Sequence, residues 1–257
     1  MWKSIRIGIL LIVLAVVASN AWLERHRSLT WRDSLYVGIF PVAADPGPAV
    51  RDYVASLQPE AFLPLEAFFA REAHRYGLAL DRPFRIELYP AVATAPPAAP
   101  VAAGPLAVIW WSLRVRWYAV RFGSAPGRPA PHIRVFVLYH DPALHRQLQH
   151  STGLQKGQIG IVQAFASDAM SGANAIVVAH ELLHTVGATD KYDLATDVPL
   201  YPQGYADPDQ RPRFPQPLAE IMAGRRPLSA TEQEMPDTLD DCVIGAATAA
   251  EIGWPAR

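Results

Sequence analysis

Cysteine is nearly missing from this chain of 257 residues, which contains only Cys242. A single thiol excludes an internal disulfide and a zinc site built from several cysteines. An excess of charge is missing too, because 23 basic and 24 acidic residues leave a formal net charge of -1. The chain therefore lacks the basic surplus expected of a protein that binds nucleic acid. Its hydrophobic share of 51% is too high for a disordered chain.

Proline, in contrast, is abundant. It accounts for 24 of 257 residues, roughly 9% against a usual share of about 5%. This proportion predicts long ordered loops between short regular elements and excludes an all-helical bundle. The length of the chain predicts one domain or two closely joined lobes, with no need of disulfides to stabilise the core.

An uncharged apolar run occupies residues 7–23, IGILLIVLAVVASNAWL, after a short tail at residues 1–6. Its length is near the lower limit for a helix that spans a bilayer. We expect an uncleaved transmembrane anchor, with a cleaved signal peptide as the alternative. In both cases we expect the rest of the chain, from residue 24 onward, to lie outside the cytoplasm. It would be anchored to the membrane in the first case and secreted in the second.

The remaining residues, 24–257, show an α+β pattern. Apolar runs predict strands at residues 35–42, 84–89, 132–139 and 158–165, and helical spacing predicts helices at 59–76 and 171–187. Residues 91–105 are typical of an extended loop, and residues 106–122 predict one long strand or a hairpin, in which tryptophans alternate. After an upper lobe of about 34–188, we expect an irregular lower lobe at 189–257 that ends in a closing helix at 239–252.

The candidate catalytic and metal-binding residues lie mainly in the segment VVAHELLHTVGATDKYD at residues 177–193. It contains His180-Glu181-x-x-His184, and residues four apart lie on one face of a helix, one turn from each other. Two imidazoles in this arrangement can bind one zinc ion. Glu181 then lies beside the metal, where it can take a proton from a zinc-bound water and pass it to a leaving amine.

A catalytic zinc site usually has three protein ligands and one water molecule. Asp190 is the candidate third ligand, since glycine at position 187 allows the left-handed turn that would bring the chain back to the metal. Glu220, Asp193 and Asp197 remain alternatives. A calcium site is a weaker possibility, because the aspartates of this region lack the spacing of known calcium loops; they are Asp190, Asp193, Asp197, Asp207 and Asp209.

The string His-Glu-x-x-His-x-x-Gly-x-x-Asp resembles the metzincin zinc peptidases, and its aspartate form is similar to that of snapalysin-type peptidases. Metzincins also have a methionine in a tight turn beneath the metal, and Met222 in the run Glu220–Gly224 fits that feature. The resemblance implies an α+β fold with a mixed twisted sheet, an active-site helix and an irregular C-terminal lobe. It also implies that the strand at residues 158–165 is the edge strand that holds an extended peptide.

The resemblance implies a zinc-dependent endopeptidase that acts on proteins or peptides, with His180, His184 and Asp190 as ligands and Glu181 as general base. The alternative is a catalytically silent module of the cell envelope that binds zinc or peptides. Gly224 stands where some metzincins place a tyrosine, so a phenol for the oxyanion would come from Tyr192, Tyr201 or Tyr205. The remaining histidines share no ligand spacing and are interpreted as structural or surface residues; they are His26, His74, His132, His140, His145 and His150.

Overall fold

The computed structural model of the chain describes residues 30–100, 104–155 and 157–255. The tail at residues 1–6 and the predicted anchor at 7–23 lie outside these ranges. Within the described ranges, no helix has both the length and the apolar character needed to cross a membrane.

A five-stranded sheet forms the centre of the fold, in the order β2-β1-β3-β5-β4. Neighbouring strands are parallel, except that β4 is antiparallel to β5. The four strands predicted from apolar runs are all present. In chain order the strands are β1 (Leu35–Ala43), β2 (Phe84–Leu88), β3 (Ile133–His140), β4 (Thr152–Leu154) and β5 (Ile159–Phe165).

Helices cover both faces of the sheet, because the inner strands are buried on both sides. In β3, Val135 and Val137 belong to one core cluster, while Phe136 and Leu138 belong to the other. The third helix packs on the second cluster, and the other helices pack on the first. The helices are α1 (Pro48–Ser56), α2 (Leu63–Arg75), α3 (Pro105–Phe122), α4 (Ser171–Val186) and α5 (Ala246–Glu251). The fold is therefore mixed α/β around a mostly parallel sheet.

The C-terminal part of the described chain is largely irregular, as its proline content predicts. The strands between α4 and α5 are short: β6 (Ala219–Glu220) pairs with β9 (Cys242–Val243), and β7 (Arg226–Pro227) pairs with β8 (Gln233–Glu234). Three 3-10 helices complete the described elements, at Pro59–Phe62, Asp168–Met170 and Leu239–Asp241. The closing helix is shorter than predicted, because residues 239–243 form a 3-10 turn and a strand before α5 begins.

Residues 106–122 form helix α3, so the predicted strand or hairpin is wrong. Apolar residues fill most positions of this segment, so its pattern matches a strand as well as a helix. In the helix, Trp111 is buried and contributes to the core, whereas Trp110 and Trp117 are 65% and 68% exposed. The outward face of α3 therefore carries large apolar side chains beside the exposed Arg114 and Arg121.

Strand β5 is not the edge of the sheet, contrary to the expectation drawn from the resemblance. Residues 152–154 turn back and pair antiparallel with β5, so β4 is the edge strand on this side. A segment of three residues is too short to be recognised as a strand by its periodicity. Helix α1 is also absent from the elements predicted by the sequence, because its Pro-Gly-Pro start is equally typical of the end of a strand.

Candidate metal centre

Helix α4 holds the predicted site, and its start is fixed to the end of β5. The Asn174 amide accepts a hydrogen bond from the Phe165 N–H (2.9 Å) and donates one to the Phe165 carbonyl (2.8 Å). The apolar face of α4, which includes Leu182 and Leu183, is buried against the sheet. His180 and His184 therefore lie together on the other side of the helix, each largely buried.

The chain reverses directly after α4. Gly187 has a φ of +113°, and the Ala188 N–H donates to the Leu183 carbonyl at 3.1 Å. A side chain at position 187 would be strained at this φ and would meet Gln155 Nε2 at 2.7 Å. The bend predicted from the glycine is confirmed, and it brings Asp190 back to the helix.

A buried lysine then fixes the segment that carries Asp190. The Lys191 side chain is 1% exposed, and its Nζ donates to the Thr189 carbonyl (2.8 Å), the Thr189 hydroxyl (2.7 Å) and Glu251 Oε2 (2.7 Å). The Lys191 N–H donates to the Met222 carbonyl at 3.0 Å. These contacts tie the residues on both sides of Asp190 to α5 and to the turn at Met222.

Three potential ligand atoms converge at this site. His180 Nε2 lies 3.0 Å from His184 Nε2 and 3.1 Å from Asp190 Oδ1, and His184 Nε2 lies 3.2 Å from the same oxygen. Ligand atoms of a tetrahedral zinc ion, with bonds of about 2.0–2.1 Å, are about 3.3 Å apart. The separations are therefore close to those of a zinc ion's ligands.

Hydrogen bonds to the backbone assign the tautomers of both histidines. His180 Nδ1 donates to the Ile221 carbonyl (3.0 Å), and His184 Nδ1 donates to the Ala188 carbonyl (2.9 Å). Each Nε2 then presents a lone pair to the other and to the Asp190 carboxylate. In neutral histidines these are three electron-rich atoms in contact, which favours a positive charge between them, either a proton on one imidazole or a divalent cation.

The pKa values of His180 and Asp190 reflect the same preference for positive charge between these atoms. Burial alone would lower the pKa of His180, but its hydrogen bond to Asp190 and the charge of Glu181 raise it above the ordinary value. Burial would raise the pKa of Asp190, yet the hydrogen bonds from His180 and His184 hold it well below its usual range. Both shifts place positive charge on the histidines beside an ionised Asp190 carboxylate.

Glu181 is a buried carboxylate beside the three atoms. One carboxylate oxygen of Glu181 lies within 4.8 Å of an imidazole nitrogen of His180 and of one of His184. Burial raises the pKa of Glu181, although the two histidines oppose that effect. Its Oε2 has no hydrogen-bond partner within the described part of the chain. A buried and unpartnered oxygen of this kind fits a water molecule placed between it and a metal ion.

A tight turn lies under the histidines. The N–H groups of Ala223 and Gly224 donate to the Glu220 carbonyl at 3.0 and 3.1 Å, and Met222 is fully buried. Glu220 is not positioned as a ligand. Its carboxylate accepts from the Ala223 and Gly245 N–H groups (2.9 and 3.0 Å) and from the Thr248 hydroxyl (2.7 Å). It therefore joins this turn to α5.

A cleft of about 840 Å³ opens beside His180 and Glu181, and Tyr192 also lines it. Of the three tyrosines considered from the sequence, Tyr192 lies against His180, with ring centroids 6.4 Å apart. Burial, together with the nearby carboxylates, raises its pKa to about 12, so the phenol keeps its proton. Tyr201 and Tyr205 instead contact each other, 5.3 Å apart.

The other aspartates of the region do not assemble into a cation site among the described residues. Asp193 caps its own turn by accepting from the Ala195 and Thr196 N–H groups, both at 3.0 Å. Asp197 lies 3.8 Å from Arg225, and Asp207 accepts from the N–H of residue 209. The structure therefore gives no support to the weak calcium prediction.

A second group of possible ligands is not evident from the sequence. Asp45, His140 and His145 bring potential ligand atoms within 4.8 Å of one another, although the spacing of these two histidines predicts no relation between them. The strand order that joins β1 to β3 creates this group, and no local spacing reveals it.

Comparison with known proteins adds no assignment. No family model matches the chain, and no curated protein matches it significantly. The geometry of the site therefore carries the functional argument.

Proposed function

We propose that this protein is a zinc-dependent endopeptidase. The observation that carries the proposal is the convergence of His180, His184 and Asp190 with Nε2 and Oδ1 atoms 3.0–3.2 Å apart. The unpartnered oxygen of Glu181 beside them supports a catalytic rather than a purely structural site. A structural zinc site has no need of an additional buried carboxylate, since its coordination is closed.

When bound, zinc would polarise the scissile carbonyl and lower the pKa of a water molecule. Glu181 would take the proton from that water as its oxygen bonds to the carbonyl carbon. The same carboxyl group would return the proton to the nitrogen as the carbon–nitrogen bond breaks. Tyr192, protonated and beside the histidines, would donate to the carbonyl oxygen as negative charge develops there.

We further propose that the substrate is an extended peptide and that the fold is of the metzincin type. Strand β4 is the edge of the sheet, and Gly153 in its middle lies directly against His184 and Glu181. A peptide that pairs with an edge strand gains main-chain hydrogen bonds without a fixed sequence requirement. The left-handed turn at Gly187 and the turn at Met222 support the metzincin assignment.

The test is cleavage of casein by the full-length chain purified in detergent. We expect cleavage that stops when a chelator removes zinc and returns when Zn²⁺ is added back. His74→Gln, which removes an exposed histidine on α2, should behave as wild type. Zinc binding at this centre without any cleavage would refute the peptidase proposal and favour the silent zinc-binding module.

A further inference from the structure

Two histidines and an aspartate meet where β1 and β3 end. Asp45 follows β1, His140 is the last residue of β3, and His145 lies in the loop after β3. The carboxyl ends of neighbouring parallel strands open at the same edge of a sheet, where α/β folds commonly bind ligands. This group does not share any residue with the candidate metal centre described above.

Backbone hydrogen bonds build the arrangement. The Asp141 N–H donates to Asp45 Oδ2 at 2.8 Å, which orients the Asp45 carboxylate. The Asp141 side chain accepts from the Ala143 N–H (2.8 Å), and the His145 N–H donates to the Asp141 carbonyl (3.0 Å). The loop therefore turns back on itself and returns His145 to the carboxylate.

The decisive feature is His140 Nδ1. His140 Nε2 lies 2.7 Å from Gln163 Oε1, an acceptor, so Nε2 carries the proton and Nδ1 carries a lone pair. This Nδ1 is buried and has no hydrogen-bond partner among the described residues. It faces Asp45 Oδ2 across 3.8 Å, which is too long for a hydrogen bond. A lone pair and a carboxylate oxygen thus face each other in a buried position.

An ordinary ion pair explains only part of this geometry. It accounts for His145 Nε2, which lies 3.1 Å from Asp45 Oδ1. It leaves the buried His140 nitrogen without a partner, and such a group is costly unless something else satisfies it. A cation between His140 Nδ1 and Asp45 would satisfy both atoms.

We propose that Asp45, His140 and His145 bind a second divalent metal ion, and that zinc is the ion this ligand set takes. Two imidazoles and one carboxylate are a common zinc ligand set. Gln163 holds His140 in the required tautomer, as residues behind metal ligands commonly do. The site opens on a cavity of about 280 Å³, which leaves room for water as a further ligand.

The role we assign to this ion is to hold the loop that carries His145, even though three protein ligands and a water leave its coordination open. The cavity has no counterpart of Glu181, because the residues that line it within the described part of the chain include His150 but no glutamate or aspartate. The cavity shares the residues Leu148, Gln149, His150 and Gln163 with the cleft of the first centre. An ion that fixes His145 therefore holds one wall of that cleft in place.

The test counts zinc on the full-length chain in a metal-buffered Zn²⁺ solution. We expect two zinc ions per wild-type chain, one in His145→Gln, one in Asp190→Ala, and none in the double variant. His150→Gln, which removes a histidine of the same cavity outside the proposed ligand set, should retain both. Circular dichroism and melting in chelator should show that all variants fold as wild type does.

The outcomes separate this site from the first one. If His145→Gln and Asp45→Asn bind as much zinc as wild type, the second site does not exist. If zinc is lost from wild type only by Asp190→Ala, the second site is likewise refuted. A single zinc that disappears in His145→Gln and persists in Asp190→Ala would support the second site while refuting the first.

A second measurement tests whether Gln163 holds His140 in the tautomer that has a lone pair on Nδ1. Gln163→Leu should weaken zinc affinity at this site by about 10- to 100-fold, because His140 Nδ1 is no longer held as a lone pair. Chelator competition in the Asp190→Ala background reports this site alone. An unchanged affinity would refute His140 Nδ1 as a ligand.

Discussion

The two histidine–aspartate groups use the same side chains but are assembled in different ways. His180, His184 and Asp190 come from one helix and the bend after it, within eleven residues of sequence. Asp45, His140 and His145 come from two strand ends that are distant in sequence. The first has a spare buried carboxylate, Glu181, beside it, and the second has none among the described residues that line its cavity. We therefore propose that similar ligands serve catalysis at the first group and hold a loop in place at the second.

The largest effect that distinguishes the two groups should follow from removing one aspartate ligand. Asp190→Ala should lose the zinc of the first centre and all peptidase activity, since two imidazoles alone hold zinc weakly. Asp193→Ala, which removes the nearest competing carboxylate of the loop, should keep both. Metal analysis and casein cleavage measure the outcome. Stoichiometric zinc at the first centre of Asp190→Ala would show that another residue is the ligand.

Glu181→Gln tests whether the carboxylate that lies beside the first centre, and has no counterpart at the second, acts as a base. The amide keeps the shape of the side chain but does not accept a proton, so activity should fall by about 10²–10⁴-fold while zinc remains bound. Rates with a fluorogenic peptide and the zinc content of the same samples give the two readouts. A variant that loses zinc together with activity would make Glu181 a ligand rather than a base.

The close contact between β4 and α4 belongs to the first centre alone. A Cβ at Gly153 would overlap with the Cβ of His184 and come within 2.6 Å of the Glu181 carbonyl oxygen. Gly153→Ala should therefore lower the free energy of unfolding by about 1–3 kcal/mol and weaken zinc binding at this centre.

Gly160 provides the matched control for that change. It lies opposite Gly153 in the strand pair, and a Cβ there would meet only Val135 atoms at 3.4 Å or more. Gly160→Ala should leave zinc binding unchanged. Urea unfolding and zinc titration of both variants test the difference, and equal effects would show that the contact with α4 is unimportant.

The smallest effect concerns the ion pair that supports the bend of the first centre. Burial alone would raise the pKa of Glu251, but Lys191 and the Thr189 N–H and hydroxyl hold it below its ordinary value of 4.5. The stability contributed by ionised Glu251 is present above pH 4.5 and is lost as the pH falls through the lowered pKa. Glu251 is 32% exposed, so the contribution is about 1 kcal/mol or less.

Glu251→Gln should therefore be less stable than wild type at pH 7, and the difference should shrink as the pH falls below 4.5. Urea unfolding with chelator at each pH measures it without interference from bound metal. Glu232→Gln, at an exposed glutamate, should show no such pH-dependent difference. A stability difference that grows at low pH would contradict the lowered pKa of Glu251.

The first group can be predicted from the sequence because its determinants are local. Helical spacing places His180 and His184 on one face, and the glycine at position 187 predicts the return of Asp190. The same reasoning fails for the second group, because Asp45 meets His140 only through the pairing of β1 with β3. That pairing depends on the packing of the whole sheet.

The differences between the predicted and the observed fold have a similar origin. The strands buried on both faces are recognisable from their apolar runs, but the mostly apolar segment 106–122 carries no clear period that would reveal its helix. Strand β4 is three residues long and is stabilised by its pairing with β5 and its contact with α4. Neither the pairing nor the contact can be recognised from the sequence of residues 152–154 alone.

Helix α3 has a consequence for the behaviour of the protein in solution. Its outward side chains Leu106, Trp110 and Trp117 are 82%, 65% and 68% exposed and lie along one face of the helix. Water solvates such a band poorly, and the exposed Arg114 and Arg121 are the neighbouring charges that offset this. Within the described part of the chain, α3 therefore presents a band of large exposed side chains on the opposite side of the sheet from His180. We expect this band to lower the solubility of the folded chain below what its average composition suggests.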